Sequence, residues 1–242
     1  MRTMRNGSLA VGCICMAVVI CAAPDAQAGW SCSGGVCTYT GSGFSDVLIV
    51  GCADDADADT TPELVVCDNG TLVQAPGYDD DCILGDDIDV VGGGGDDNMR
   101  IQILAATVSC SGTNITFSTL SGGGNADVDL IGGTGSDTLH GGGWDNAWDN
   151  DLTGQGGSDD LFGYSNGLGF NDGGSEGDVI ITFGGTSSNE DLNGGTGSDC
   201  LEDVSGDADL FDCGSTEVDN WVNNLTGEMC SVAENDVAVP SC

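Results

Sequence analysis

Positive charge is almost missing from this chain. Its 242 residues hold three lysines and arginines against 40 aspartates and glutamates, a formal net charge of −37. No lysine occurs, and the arginines are Arg2, Arg5 and Arg100. So acidic a surface repels phosphate backbones and anionic lipid, which excludes nucleic-acid binding and membrane adsorption. Histidine is limited to His140. With no His-Glu-x-x-His and no Cys-x-x-Cys, the motifs of zinc, haem and dithiol redox chemistry are missing. Past Ala28 no apolar run approaches the roughly 20 residues that cross a bilayer.

The first residues are the exception. Arg2 and Arg5 precede an apolar run from Leu9 to Ala23, and Ala26-Gln27-Ala28 is a small-x-small cleavage signal. Residues 1–28 therefore read as a secretory signal peptide. Arg2, Arg5 and Asp25 leave with it, so the mature chain has Arg100 as its one basic residue and a net charge of −38. Of the thirteen cysteines, Cys13, Cys15 and Cys21 also leave. The even number that remains, in an exported chain, predicts disulfides. The expected location is secreted, extracellular or at the cell surface, with no membrane insertion after cleavage.

Composition alone would permit disorder, but glycine, aspartate and aliphatic residues recur in register. Gly132-Gly133-Thr134-Gly135-Ser136-Asp137-Thr138-Leu139-His140 returns as Gly194-Gly195-Thr196-Gly197-Ser198-Asp199-Cys200-Leu201-Glu202 and as Gly92-Gly93-Gly94-Gly95-Asp96-Asp97-Asn98-Met99-Arg100. Fixed-period self-similarity signals a solenoid. Glycines permit the strained turns, and the apolar residue two places after each aspartate starts a short strand pointing inward. Repeat starts at Gly132, Gly154, Gly173 and Gly194 form one ridge with Asp137, Asp159, Asp178 and Asp199 at the sixth position. The opposite ridge, starting at Gly122, Gly141, Gly163 and Gly184, has Asp127, Asn146, Leu168 and Asn189 there. A column of stacked carboxylates repels itself unless cations lie between successive coils.

Four regions follow. Residues 1–28 are the signal peptide, 29–121 a cysteine-rich β-solenoid-like region, 122–213 the repeat array and 214–242 a C-terminal cap over the open solenoid end. Cys37, Cys52, Cys67 and Cys82 stand at a constant interval beside short apolar runs, which predicts stacked coils stapled by disulfides between them, unless the spacing is coincidence. The Ser/Thr-rich stretch around Cys110 is a junction such as an inserted hairpin. Asp54-Asp55-Ala56-Asp57-Ala58-Asp59 and Asp79-Asp80-Asp81 read as solvated acidic loops, and Trp144 and Trp148 as an aromatic pair on a longer half-coil. Asn69, Asn114 and Asn224 head Asn-x-Thr triplets.

The nonapeptides resemble the RTX (repeats-in-toxin) calcium-binding β-roll family. The resemblance covers residues 122–212 and the window at 92–100. It implies an all-β, right-handed parallel β-roll or β-solenoid whose turns bind calcium. The metal-ligand role carries over to Asp97, Asp137 and Asp199, where the window is complete, with the turn glycines Gly133, Gly135, Gly195 and Gly197 lending carbonyls. It extends to Asp159, where Gln155 replaces the second glycine, and to Asp178, where Glu176 replaces the fourth-position glycine. Two departures stand out: the N-terminal signal and the many cysteines are unlike that family, so its export route and toxin association do not transfer.

The expected function is a calcium-binding structural or adhesive protein, not an enzyme, with calcium ions and extracellular polysaccharide or cell-surface components as partners. The alternative is a calcium-dependent β-helical carbohydrate-active enzyme of polysaccharide-lyase type, for which Arg100 would be the basic residue. An ice- or surface-binding solenoid needs a flat threonine array, and only Thr134 and Thr196 share a position on the carboxylate ridge.

Overall fold

The computed structural model describes residues 28–53, 63–76, 87–102, 106–110, 112–118, 128–142, 150–164, 169–183, 190–204, 210–214, 220–222 and 237–238. They form twenty β-strands and no helix. The opposite ridge's Asp127, Asn146, Leu168 and Asn189 lie outside the described residues, as do Trp144, Trp148, both acidic loops and residues 1–27.

The chain alternates between two sheets. The first runs in the order Gly29–Ser33, Val36–Thr40, Asp87–Gly94, Val128–Thr134, Leu152–Gly156, Gly169–Ser175, Glu190–Asn193, Leu210–Asp212. The second holds the strands that follow those from Val36–Thr40 onward, among them Val47–Ala53, Asn98–Gln102, Thr138–His140, Asp160–Gly163, Val179–Thr182, Cys200–Asp203 and Asn220–Val222. Pairing is parallel along both of these runs from Val36–Thr40 onward. The crossings from the first sheet to the second that end at Asp46, Asp97, Asp137, Asp159, Asp178 and Asp199 are glycine-containing turns.

Between the sheets lies one apolar core. Val90, Leu130, Leu152 and Leu192 from the first sheet meet Met99, Leu139, Leu161, Ile180 and Leu201 from the second, all essentially inaccessible to water. Burying each such side chain stabilises the fold by about 1.5–3 kcal/mol. The aliphatic residue two places after each aspartate is therefore the core's anchor on the second sheet. Asn171 interrupts the leucine column of the first sheet and is itself buried.

The sheets are mixed, not parallel throughout. Gly29–Ser33 and Val36–Thr40 form an antiparallel hairpin across Gly34 and Gly35, with φ of 68° and 92°. Glu63–Asp68 turns back antiparallel to Val47–Ala53 and then pairs with Thr71–Gln74 across Asn69 and Gly70, with φ of 46° and 81°. Two central residues at positive φ match the twist of an antiparallel hairpin and cannot make a parallel crossover, which needs a dozen or more residues. The stretch around Cys110 is an antiparallel hairpin of Ala106–Cys110 and Thr113–Ser118, laid against Val47–Ala53.

The equal cysteine spacing does not reflect stacked coils. Cys37 bonds to Cys32 within the first hairpin, and Cys67 bonds to Cys110, joining the two inserted hairpins. Cys52 and Cys67 sit on antiparallel neighbours at different levels, opposite Leu64 and Ile49. Cys52, Cys200 and Cys213 are also disulfide-bonded. Ile49, Val65, Cys67, Cys110, Ile115 and Phe117 form a second, smaller apolar cluster beneath these hairpins.

Candidate metal centre

Each glycine-rich turn brings its aspartate back under the first glycine of the same repeat. A Cβ added to Gly132 would lie 2.3 Å from Asp137 Oδ2, and one on Gly92 or Gly154 would lie 2.2 Å from Asp97 or Asp159 Oδ2. Gly173 and Gly194 stand in the same relation to Asp178 and Asp199, at 2.5 Å. The carboxylate thus occupies the volume a side chain would need, which explains the glycine five places before each aspartate. Gly133, Gly135, Gly195 and Gly197 have φ of 113°, 132°, 89° and 149°, the left-handed region closed to most side chains. Gln155 and Glu176 are held there too, at 76° and 80°.

Stacking the turns lines these aspartates into a column. The Asp97 amide donates to Asp137 Oδ1 at 2.8 Å, Asp137 to Asp159 at 2.7 Å, Asp159 to Asp178 at 2.8 Å and Asp178 to Asp199 at 2.9 Å. Every rung points the same way, from the amide of one coil to the carboxylate of the next. The side chains are almost dry, with Asp97 2 % exposed and Asp137, Asp159 and Asp178 1 %.

One more rung precedes these. The Asp46 amide donates to Asp97 Oδ1 at 2.6 Å, and Asp46 is 2 % exposed. Sequence reading missed it because Ser42 and Phe44 stand where the template has glycines. The surviving signal was Gly41, five places before Asp46, and the buried Leu48 two places after it. Among the described residues no earlier coil precedes Asp46 in the column. The Ser42 amide and Asn69 Nδ2 donate to it instead, each at 2.6 Å. The Asn69-Gly70 turn thereby caps the column.

The second carboxylate oxygen is a different matter. Oδ2 of Asp97, Asp137, Asp159 and Asp178 is buried with no hydrogen-bond partner. Around the missing Cβ of Gly92 the neighbours are Asp97 Oδ2 and the next coil's carbonyl, Gly132 O at 2.7 Å. Gly154 likewise has Asp159 Oδ2 and Gly173 O at 2.5 Å, and Gly173 has Asp178 Oδ2 and Gly194 O at 2.8 Å. Two acceptors thus border the same small space at each of these glycines, which offers them only a weak Cα–H donor. Burial, together with the neighbouring carboxylates, pushes Asp97 and Asp178 up to about 7 and Asp159 to about 6, against the lowering effect of the amide bonds. Asp137 is raised by burial in the same way.

This donor set suits a hard cation, which takes six to eight oxygens from carboxylates and backbone carbonyls. Among the described residues no three His, Cys, Asp or Glu side chains converge, so an ion here would draw on the aspartates in pairs and on glycine carbonyls. A shallow groove of about 490 Å³, lined by Asp96, Thr134, Ser136 and Glu176 among others, runs along the same turns. Thr134 and Thr196 both lie exposed on this ridge.

Among the described residues, the serine and histidine of the repeats lie apart. Two Gly-x-Ser-x-Gly strings fall in the repeats, at Gly163–Gly167 and Gly173–Gly177. Ser165 lies outside the described residues; Ser175 donates its hydroxyl to the Gln155 carbonyl at 3.2 Å. The chain's one histidine is on the other sheet, stacked on Phe162. Comparison with protein-family models, with curated proteins and with solved structures returns no match.

Proposed function

We propose that this is an exported calcium-binding protein of the RTX kind, a right-handed parallel β-roll interrupted by disulfide-linked hairpins, with a structural or adhesive role outside the cell or on its surface. One observation carries the reading: four successive buried carboxylates each leave an oxygen unpartnered, and at Asp97, Asp159 and Asp178 the next coil's carbonyl lies against the same glycine. Calcium would supply the charge this column lacks, held by Asp97, Asp137, Asp159, Asp178 and Asp199 and by glycine carbonyls of the turns, including Gly133, Gly135, Gly195 and Gly197. An ion that binds only the folded state stabilises it by mass action. Extracellular sites bind calcium at about 10⁻⁴–10⁻³ M, so they fill outside the cell and folding is completed there. The disulfides, and the lack among the described residues of a helix long and apolar enough to cross a membrane, agree with export.

The amide-to-Oδ1 bonds favour a second reading. A bond at every rung from Asp46 to Asp199 makes a ladder that needs no metal if the carboxyls keep their protons. Equilibrium dialysis of calcium against the oxidised protein, with far-ultraviolet circular dichroism in calcium and in chelator, separates the two. Uptake of several ions near millimolar calcium, with a cooperative gain of β signal or melting temperature, is the expected result. Absence of uptake at neutral pH would leave the protonated ladder and remove calcium.

A further inference from the structure

The outer face of the second sheet holds the mature chain's one basic residue. Arg100, His140, Phe162, Ile181 and Glu202 form one register row across five neighbouring strands. They alternate with the buried Met99, Leu139, Leu161, Ile180 and Leu201, so they face away from the core. The rings of His140 and Phe162 stack at 4.6 Å, and Tyr164 and Phe183 stack at 4.9 Å beside them. In a chain so rich in carboxylates, Arg100 Nε is buried without a hydrogen-bond partner. His140, held below its ordinary pKa by burial and by Arg100, adds no charge of its own.

One end of this face is already a packing surface. Ile49, the neighbour of Arg100 in the row, lies under Ile115 and Phe117 of the inserted hairpin. From Arg100 onward the row is half-buried, with Phe162 and Ile181 as its apolar middle, cationic at one end and anionic at the other.

We propose that this face pairs with the same face of a second copy, about a two-fold axis parallel to the strands. That axis reverses the strand order, so Arg100 meets the partner's Glu202, Glu202 meets the partner's Arg100, and Phe162 lies at the axis. The alternative in-plane axis would set Arg100 on its own copy, and like charges forbid it. Two-fold symmetry makes the contact self-complementary. Exposed Asp160, two residues before Phe162, meets its own copy and weakens the pair.

Sedimentation velocity on the purified oxidised protein over a range of concentrations, in calcium and in chelator, reads the pairing directly. A concentration-dependent dimer is expected. Arg100→Glu or Glu202→Arg alone raises its Kd by roughly tenfold or more, and the double variant with both changes recovers most of the loss. Asp160→Asn tightens the dimer. A monomer at every concentration overturns the proposal, as does a double variant that recovers nothing. A monomer that instead binds a uronate polymer through Arg100 assigns the face to an acidic glycan and equally overturns it. A dimer that persists in chelator without calcium uptake leaves the pairing standing and the calcium reading fallen.

Discussion

Asp97, Asp137, Asp159 and Asp178 lie one coil apart in a column that water barely reaches, whereas Asp89, Asp129 and Asp151, also one coil apart, lie half-exposed on the outer face of the first sheet. Residue type and spacing are the same in both. The outer carboxylates stay within reach of water and accept bonds from what lies near: Thr38 donates to Asp89, the Asp151 amide to Asp129 and the Phe170 amide to Asp151. The buried ones have one oxygen on an amide and the other on nothing. What a carboxylate can do is therefore set by which side of the strand the turn places it, since desolvation, not contact count, creates the need for a proton or a cation.

The first and largest break in this comparison is at the glycine that makes room for the buried carboxylate. Gly132→Ala drives a Cβ into Asp137, and its denaturation midpoint should fall by the equivalent of about 3 kcal/mol or more, the range of severe core overpacking. Gly94→Ala, whose nearest neighbour would be 3.4 Å away, should change little. An equal loss at both positions would dissolve the distinction.

Removing the carboxylates themselves comes next. Asp137→Ala leaves the Asp97 amide buried without its acceptor and opens a void, a loss of about 2–4 kcal/mol. Asp129→Ala on the outer face should stay within about 1 kcal/mol. Asp159→Asn sharpens the point: Nδ2 supplies a donor on the side where Oδ2 and the Gly173 carbonyl share the space at Gly154, so in chelator at pH 8 this variant should melt above the parent, yet gain less from calcium. A variant that melts below the parent in chelator would show that the orphan oxygen is not a liability.

Acid should separate the columns without mutation. The native Asp97 and Asp178 hold protons up to about pH 7 and Asp159 to about pH 6, whereas an unfolded aspartate titrates near ~3.9. Between those limits the native state binds more protons, so stability of the metal-free protein falls as pH rises from about 4 to 7. Each kcal/mol of this linkage moves the melting temperature of a chain this size by about 2–4 °C. Calcium favours the charged form, so its affinity should weaken as pH drops through the same window. Metal-free melting that rises with pH would contradict the raised carboxyls.

The smallest effect is expected at the two turns that break the glycine pattern. Gln155→Gly and Glu176→Gly relieve a left-handed conformation worth about 1–2 kcal/mol, partly offset by added freedom in the unfolded chain. A rise of a few degrees in melting temperature for each, by calorimetry, is the expected outcome.

Reading residues in register placed Asp137, Asp159, Asp178 and Asp199 on one ridge and the aliphatic residues after them inside, because a strand's two-residue period and a fixed repeat leave few ways to stack; Asp97 was read from a separate window, and the structure adds it to the same column. Asp46 escaped that reading, since its turn tolerates Ser42 and Phe44 once Gly41 is kept. The Asn69-Gly70 dipeptide was an unread hairpin signal as well as a glycosylation triplet, and its side chain turns out to end the column. The pairing of Cys67 with Cys110 was out of reach, because it depends on two hairpins folding onto the same face of a sheet.

Local chemistry thus decides the all-β character, the repeat, the glycine turns and the excess of carboxylate, each of which depends on residues within a few places of one another. Only the packed structure decides which carboxylates lose water, that every rung runs from amide to the next coil's Oδ1, where antiparallel hairpins interrupt the parallel runs, and that Arg100 and Glu202 end one row. Those are properties of neighbours tens of residues apart in the chain, brought within hydrogen-bond distance by stacking.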